Sequence, residues 1–345
     1  MTISVPLRLK GAPGSPYTRK MLALLRYRHI PYEFLIGDQA SRAGLPEPRV
    51  SLLPTFYLED DQGEVQAVVD STPLIRRFEE AFTDRRVVPP DPVMAFVDAL
   101  VEDYADEWLT KAMFHYRWYY ASDIDKAGTV LPRWRAIGAP EAELLKLKAL
   151  FAERQISRLY VVGSNDVTAP VIEASYVRNL GILDDLLQRH PFVMGGRPGA
   201  GDFGIYAQLT QLAKFDPTPA AICLREAPRV FAWTDLVDDL SGTPAAEDAW
   251  LSRAQARDHL GPLLGEIGRV YAPFLLANAE ALESGAEQVE ATIDGKPWAQ
   301  PPFPYQGKCL QGIRAGFAAL SNGDRKAVAG ILAGTGCEPL LGIDP

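Results

Sequence analysis

The first residue in a position to do chemistry is Ser15, in the stretch GAPGSPYTRK, residues 11–20. Leu7 and Leu9 alternate with Arg8 and Lys10, the period-two pattern of a short strand. Gly11, Pro13 and Gly14 break that pattern, and the pair Ser15-Pro16 opens a helix. A serine at the N-cap accepts an orphan backbone N–H, and a proline at the first helical position has none to waste. Met21, Leu22, Leu24 and Leu25 carry an apolar face onward. The Ser15 hydroxyl thus sits where a strand hands over to a helix, at the positive end of the helix dipole, a place that stabilises an anion and a thiolate in particular. On these residues alone Ser15 is either such a site or a helix cap and nothing more. Tyr17 and Thr18 offer alternative hydroxyls within one turn.

Other reactive side chains are scattered. Cys223, Cys309 and Cys337 are far apart in the sequence. They show neither metal-ligand spacing nor a disulfide framework, which fits a reducing, cytoplasmic setting. His29, His115, His190 and His259 form no triad and no metal motif, and only His115 lies in an aromatic stretch, Phe114–Tyr120. Asp103, Asp106 and Glu107 precede it at helical spacing. They read as a solvated face paired with Lys111 or, alternatively, as acidic groups lining a cleft. The chain of 345 residues carries a formal charge of -9 and no Lys/Arg-rich block, which argues against a nucleic-acid or anionic-membrane partner. The N-terminus lacks the pattern of a signal peptide and no apolar run approaches membrane-spanning length.

The elements that must position Ser15 follow in order. PYEFLI, residues 31–36, reads as a second strand and residues 37–50 as a loop with a short helix. Thr55 to Leu58 form a strand, Asp61-Gln62-Gly63 a turn, and Val65 to Val69 the hairpin partner. Asp70, Ser71 and Pro73 open another helix. Asp84 to Pro92, DRRVVPPDP, is a stiff linker and the clearest domain boundary. Beyond it the pattern is helical: Phe96 to Tyr120 as one long helix, then 139–159, 171–189, and a capped helix after the Gly-rich loop at 195–201, where Asp202 can bond back into the loop. The tail predicts a helix over 260–281 kinked at Pro273, a hairpin over 289–300 turning at Asp294-Gly295, and helices over 308–320 and 324–332.

Over residues 5–240 this sequence resembles the glutathione S-transferase family. GAPGSPYTRK looks like the loop and helix start where that family keeps its Ser, Tyr or Cys. LLPTF, residues 52–56, looks like the segment with the family's cis-proline, DSTPLIRRFEE like its acidic-Ser pair, and PFVMGGRPGAGDFGIYAQL like the capped helix of its second domain. The resemblance implies Ser15 as thiol activator. It further implies glutathione held by Tyr17, the Leu53 backbone, a cis Pro54, Asp70 and Ser71. Two positions depart from the pattern. Leu52 stands where a basic residue is usual, leaving Arg49 or Arg42 for the glycine carboxylate, and Gly199 stands where the cap usually has Ser or Thr.

The reading that results is an α/β thioredoxin-like domain over 1–86, an all-α helical domain over 93–240, and a mostly helical extension with a β-hairpin over 241–345, packed on the second domain. The implied activity is conjugation of glutathione to a small hydrophobic electrophile held near Trp108, Lys111 and His115, in a homodimer and without a metal. The alternatives are another glutathione-dependent reaction, such as ether cleavage or dehalogenation, and a non-catalytic binding module of the same fold.

Overall fold

The computed structural model describes residues 3–342. Strand β1 (Leu7–Lys10) leads into helix α1 (Pro16–Tyr27), followed by β2 (Tyr32–Leu35), the single turn α2 (Gln39–Arg42), β3 (Thr55–Glu59), β4 (Val65–Val68) and α3 (Ser71–Ala81). The sheet order is β2-β1-β3-β4, with β1 parallel to β2 and antiparallel to β3. Leu9 pairs with Phe56, and both are fully buried under α1 and α3. The Leu53–Pro54 peptide is cis, as the resemblance implied.

The second domain begins with α4 (Pro92–Tyr104), capped by Asp91. One turn of π-helix (Ala105–Leu109) joins it to α5 (Thr110–Tyr119), so the expected long helix is present with a bulge in the middle. Then come α6 (Ala121–Arg135), α7 (Glu141–Ile156), α8 (Ala169–Leu187), α9 (Ala200–Leu209), α10 (Pro217–Glu226) and α11 (Pro228–Asp238). The sequence reading had no element at α6 or α10, where internal prolines and glycine blur the helical period. Helix α9 packs against both α1 and α4, locking the two domains together. Its start explains Gly199. The Asp98 carboxylate of α4 accepts from the Ala200 and Gly201 N–H groups, and a Cβ at Gly199 would lie 2.4 Å from that carboxylate. The cap has moved to another helix, and Asp202 bonds back to the Val193 and Gly199 N–H groups as expected.

The extension folds as α12 (Arg253–Glu266), a π turn (Ile267–Tyr271), α13 (Ala272–Ser284), the hairpin β5 (Val289–Ile293) and β6 (Lys296–Gln300), α14 (Pro304–Ala318) and α15 (Asn322–Leu332). The break in the helix over 260–281 is therefore a π turn, with Pro273 just after it. The extension is part of the core: Tyr271, Phe274, Trp298, Phe317 and Leu332 are buried in the same apolar cluster as α4 and α8. Among the described residues no helix is long and apolar enough to cross a membrane.

Candidate functional site

Ser15 has the geometry its sequence context implied. It is extended, at φ -93° and ψ 119°, and its Oγ accepts from the Thr18 N–H at 3.3 Å, which makes it the N-cap of α1. The same hydroxyl donates to the Leu53 carbonyl at 3.2 Å, across to the residue before the cis-proline. Both bonds are long for their kind, so the hydroxyl can turn to a better acceptor at little cost. The other two hydroxyls are committed elsewhere. Thr18 is fully buried and its Oγ1 accepts from the Ala12 N–H. Tyr17 donates to the Asp106 carbonyl at 2.7 Å, and burial, with Glu107 and Asp106 adding to it, pushes the phenol well above its ordinary pKa.

Ser15 and Leu53 line a cavity of about 470 Å3 between the first domain and α5, α6 and α7, a size that takes a small-molecule ligand. Met113, Phe114, Trp118, Trp134 and Phe151 supply its apolar walls. The loop carrying Ser15 lies hard against α6, where a Cβ at Gly14 would come within 2.2 Å of Leu131. Arg117 holds this loop in place: Nη1 donates to the Gly14 carbonyl at 2.9 Å, Nη2 donates to Gln211 Oε1, and Nε and Nη2 bond the buried Asp216 carboxylate. Sequence reasoning missed Arg117, although a lone arginine inside FHYRWYY was the available signal.

The expected second-substrate residues, Trp108 in the π turn and Lys111 and His115 on α5, do not line this cavity. Trp108 is buried, donates to Ser175 and packs against Trp298 and Phe274 of the extension. Lys111 is buried over the Phe274 ring at 4.0 Å and donates to Gln300, and burial pushes its pKa down to about 7. His115 is buried between Ser164 and Glu173. The helix carries two aromatic stripes. Residues 113, 114, 117 and 118 face the cavity, and 108, 111 and 115 face the other way.

Asp70 and Ser71 follow the edge strand β4, at the same end of the sheet as Ser15 but two strands across, and do not line that cavity. Asp70 caps α3 by accepting from the Thr72 N–H, and its Oδ2 accepts from the Tyr305 hydroxyl of the extension at 2.7 Å. Ser71 Oγ accepts from Lys20 Nζ at 3.3 Å. Lys20, on α1, is fully buried and paired with Glu102 at 2.8 Å and Asp106 at 2.5 Å, and Arg76 joins Glu102 at 3.2 Å. Burial works against the Glu102 carboxylate, but Lys20 and Arg76 outweigh it and hold its pKa below the ordinary value. Asp103 accepts from Tyr271 and Glu107 from Gln306, so the acidic stretch is packed into the protein and is not a solvated face. Arg42 pairs with Asp38 at the surface, and neither Arg42 nor Arg49 lines the cavity beside Ser15.

Residues 9–86 match the family model of the glutathione S-transferase N-terminal domain. The matched stretch runs from Leu9 in β1 to just past α3 and includes Ser15, Leu53, Asp70 and Ser71. No curated protein matches the chain. Among solved structures it is similar to FzlA from C. crescentus, 17% identical, over 67% of this chain and 86% of that one, with a TM-score of 0.37. It is similar to a maleylacetoacetate isomerase from Anaeromyxobacter dehalogenans with bound glutathione, 16% identical, over 71% and 99%, with a TM-score of 0.37. A glutathione S-transferase from Rhodospirillum rubrum is 18% identical over 72% and 96%, with a TM-score of 0.39.

Proposed function

We propose that this protein is a glutathione transferase that conjugates the glutathione thiol to a small hydrophobic electrophile. One observation carries the reading: in a glutathione S-transferase N-terminal domain, the Ser15 hydroxyl stands at the start of α1, beside Leu53, on the wall of a ligand-sized cavity. A free thiol is mostly protonated near neutral pH, so the site must favour the thiolate. Turning from the Leu53 carbonyl, the Ser15 hydroxyl would donate to the sulfur anion, with the dipole of α1 behind it. The Leu53 backbone beside the cis Pro54 would align the cysteine of the tripeptide. At the γ-glutamyl end, the ligand ammonium would replace the Tyr305 hydroxyl on Asp70, a local exchange at a half-exposed contact. Phe114, Trp118, Trp134 and Phe151 would hold the electrophile, in place of Trp108, Lys111 and His115. A cytoplasmic homodimer belongs to the same reading, and light scattering at micromolar concentration tests it by mass.

Calorimetric titration of the full chain with glutathione, followed by an absorbance assay with a chloro-dinitrobenzene electrophile, tests the proposal. Heat of binding together with product formation is expected. Absence of both sinks it. The Tyr305–Asp70 contact favours a second reading, a non-catalytic module whose own extension fills the ligand's anchor point. Glutathione binding without turnover of any common electrophile would favour that module.

A further inference from the structure

The cavity beside Ser15 carries charge of one sign. Lys10, Arg117, Arg135, Arg154 and Arg158 line it, and no Asp or Glu does, in a chain whose formal charge is -9. Arg117 is neutralised by Asp216, and Lys10 has Glu47 at 3.6 Å. Among the described residues Arg135, Arg154 and Arg158 have no ion-pair or hydrogen-bond partner for their guanidiniums. They are not randomly placed. Arg154 follows Phe151 by three residues on α7, Arg158 lies two residues past the end of that helix, and Arg135 follows Trp134 at the end of α6. Each flat apolar side chain on this wall thus has a cation beside it. A second cavity of about 680 Å3 shares Lys10, Arg135, Phe151 and Arg154 with the first and adds Arg42 together with Asp38 and Glu47, so carboxylates enter only outside the cavity beside Ser15. Like charges gathered in a concave surface raise its potential and draw in an anion, which relieves their repulsion. A guanidinium also binds a carboxylate or sulfonate through two parallel N–H donors.

We infer that the second substrate is a flat apolar molecule carrying a carboxylate or sulfonate group, its ring system against Trp134 and Phe151 and its anion on Arg154 and Arg158. The inference rests on the transferase reading only in calling this molecule a substrate; the anion subsite itself is a property of the α6–α7 wall.

A matched pair of fluorescent probes tests it on the full-length protein. One is 8-anilinonaphthalene-1-sulfonate; the other is N-phenyl-1-naphthylamine, the same ring system without the sulfonate. The sulfonate probe is expected to bind at least about tenfold more tightly at low salt. That preference should shrink as salt is raised, because the guanidiniums are solvent-exposed and screened. In the double variant Arg154→Gln, Arg158→Gln the preference should vanish while the neutral probe binds as before. Both positions are exposed, and a thermal melt confirms that the variant is folded. Equal affinity of the two probes, a preference that survives the double variant, or binding of neither probe overturns the inference. Glutathione calorimetry on the same samples keeps the two readings apart. If glutathione fails to bind while the probe preference follows the arginines, the transferase reading falls and the anion subsite stands.

Discussion

The cavity beside Ser15 and the surroundings of Asp70 treat charge in opposite ways. At the Ser15 end the walls are aromatic, Arg135, Arg154 and Arg158 lack partners among the described residues, and no carboxylate lines the cavity. At the Asp70 end charges are tied to neighbours: Lys20 with Glu102 and Asp106, Arg76 with Glu102, and Asp70 with the Tyr305 hydroxyl. Helix α14 of the extension closes this second end, with Gln306 on Glu107 next to Tyr305 on Asp70. Matched, buried charges hold elements in place, and breaking one partner away is costly. Unmatched charges on a cavity wall are available to a ligand. The difference leaves the Ser15 cavity open to a ligand and ties the Asp70 side to the extension.

The sharpest way to break this comparison is Lys20→Met. It would leave Glu102 and Asp106 buried without their shared cation and should cost about 3–5 kcal/mol in denaturant unfolding. A cost under about 1 kcal/mol would show that the Asp70 end is not held by its charges. Next in size is Tyr305→Phe, which frees Asp70. If Asp70 holds the glutathione ammonium, removing a competitor for a charged hydrogen bond, worth about 1.5–3 kcal/mol, should tighten binding by about tenfold. Unchanged calorimetric affinity would mean that the anchor lies elsewhere.

Ser15→Ala should be smaller and of a different kind. It should cost about 1 kcal/mol of stability as a lost cap. It should also raise the pKa of bound glutathione, read from the ultraviolet absorbance of the thiolate, because a donor to the charged form is gone. Binding of S-methylglutathione should not change. A thiol titration that does not move would leave Ser15 as a cap alone. The last effect, that of Glu107→Gln, is read in pH dependence. Burial, with Asp103 and Asp106 adding to it, raises the Glu107 carboxyl to about 8 in the folded protein, against about 4.3 when unfolded. Its contribution to stability is therefore fully present below pH about 4 and is lost as pH rises toward the folded value. The variant should melt with a shallower decline in Tm between pH 5 and 8 than the wild type, and an unchanged decline would remove Glu107 from the account.

Much of the first domain was legible because its signals are local. Ser15-Pro16 starts a helix whatever surrounds it, Asp61-Gln62-Gly63 turns a hairpin, and Asp70-Ser71 opens α3. The hairpin of the extension was legible for the same reason, through Asp294-Gly295. The residues of the second wall were not. On α5 both stripes are aromatic or basic, so helical period alone does not say which one looks into the cavity. Lys20 had a signal that was passed over: it shares a stripe with Leu24 and Tyr27, both buried, so a lysine there required a buried partner.

The sequence by itself determined the start of α1, the hydroxyl at its cap, the proline after Leu53 and the acidic-Ser pair at α3, because each depends on backbone chemistry within a few residues. Only the tertiary structure decided which of Ser15, Tyr17 and Thr18 meets the cavity. Only it turned Trp108, Lys111 and His115 toward the extension and gathered arginines from α6 and α7 opposite Ser15. It also brought Tyr305 to Asp70, across 235 positions of sequence. Those outcomes depend on which apolar faces bury each other at long range, and burial acts on area without regard to sequence separation.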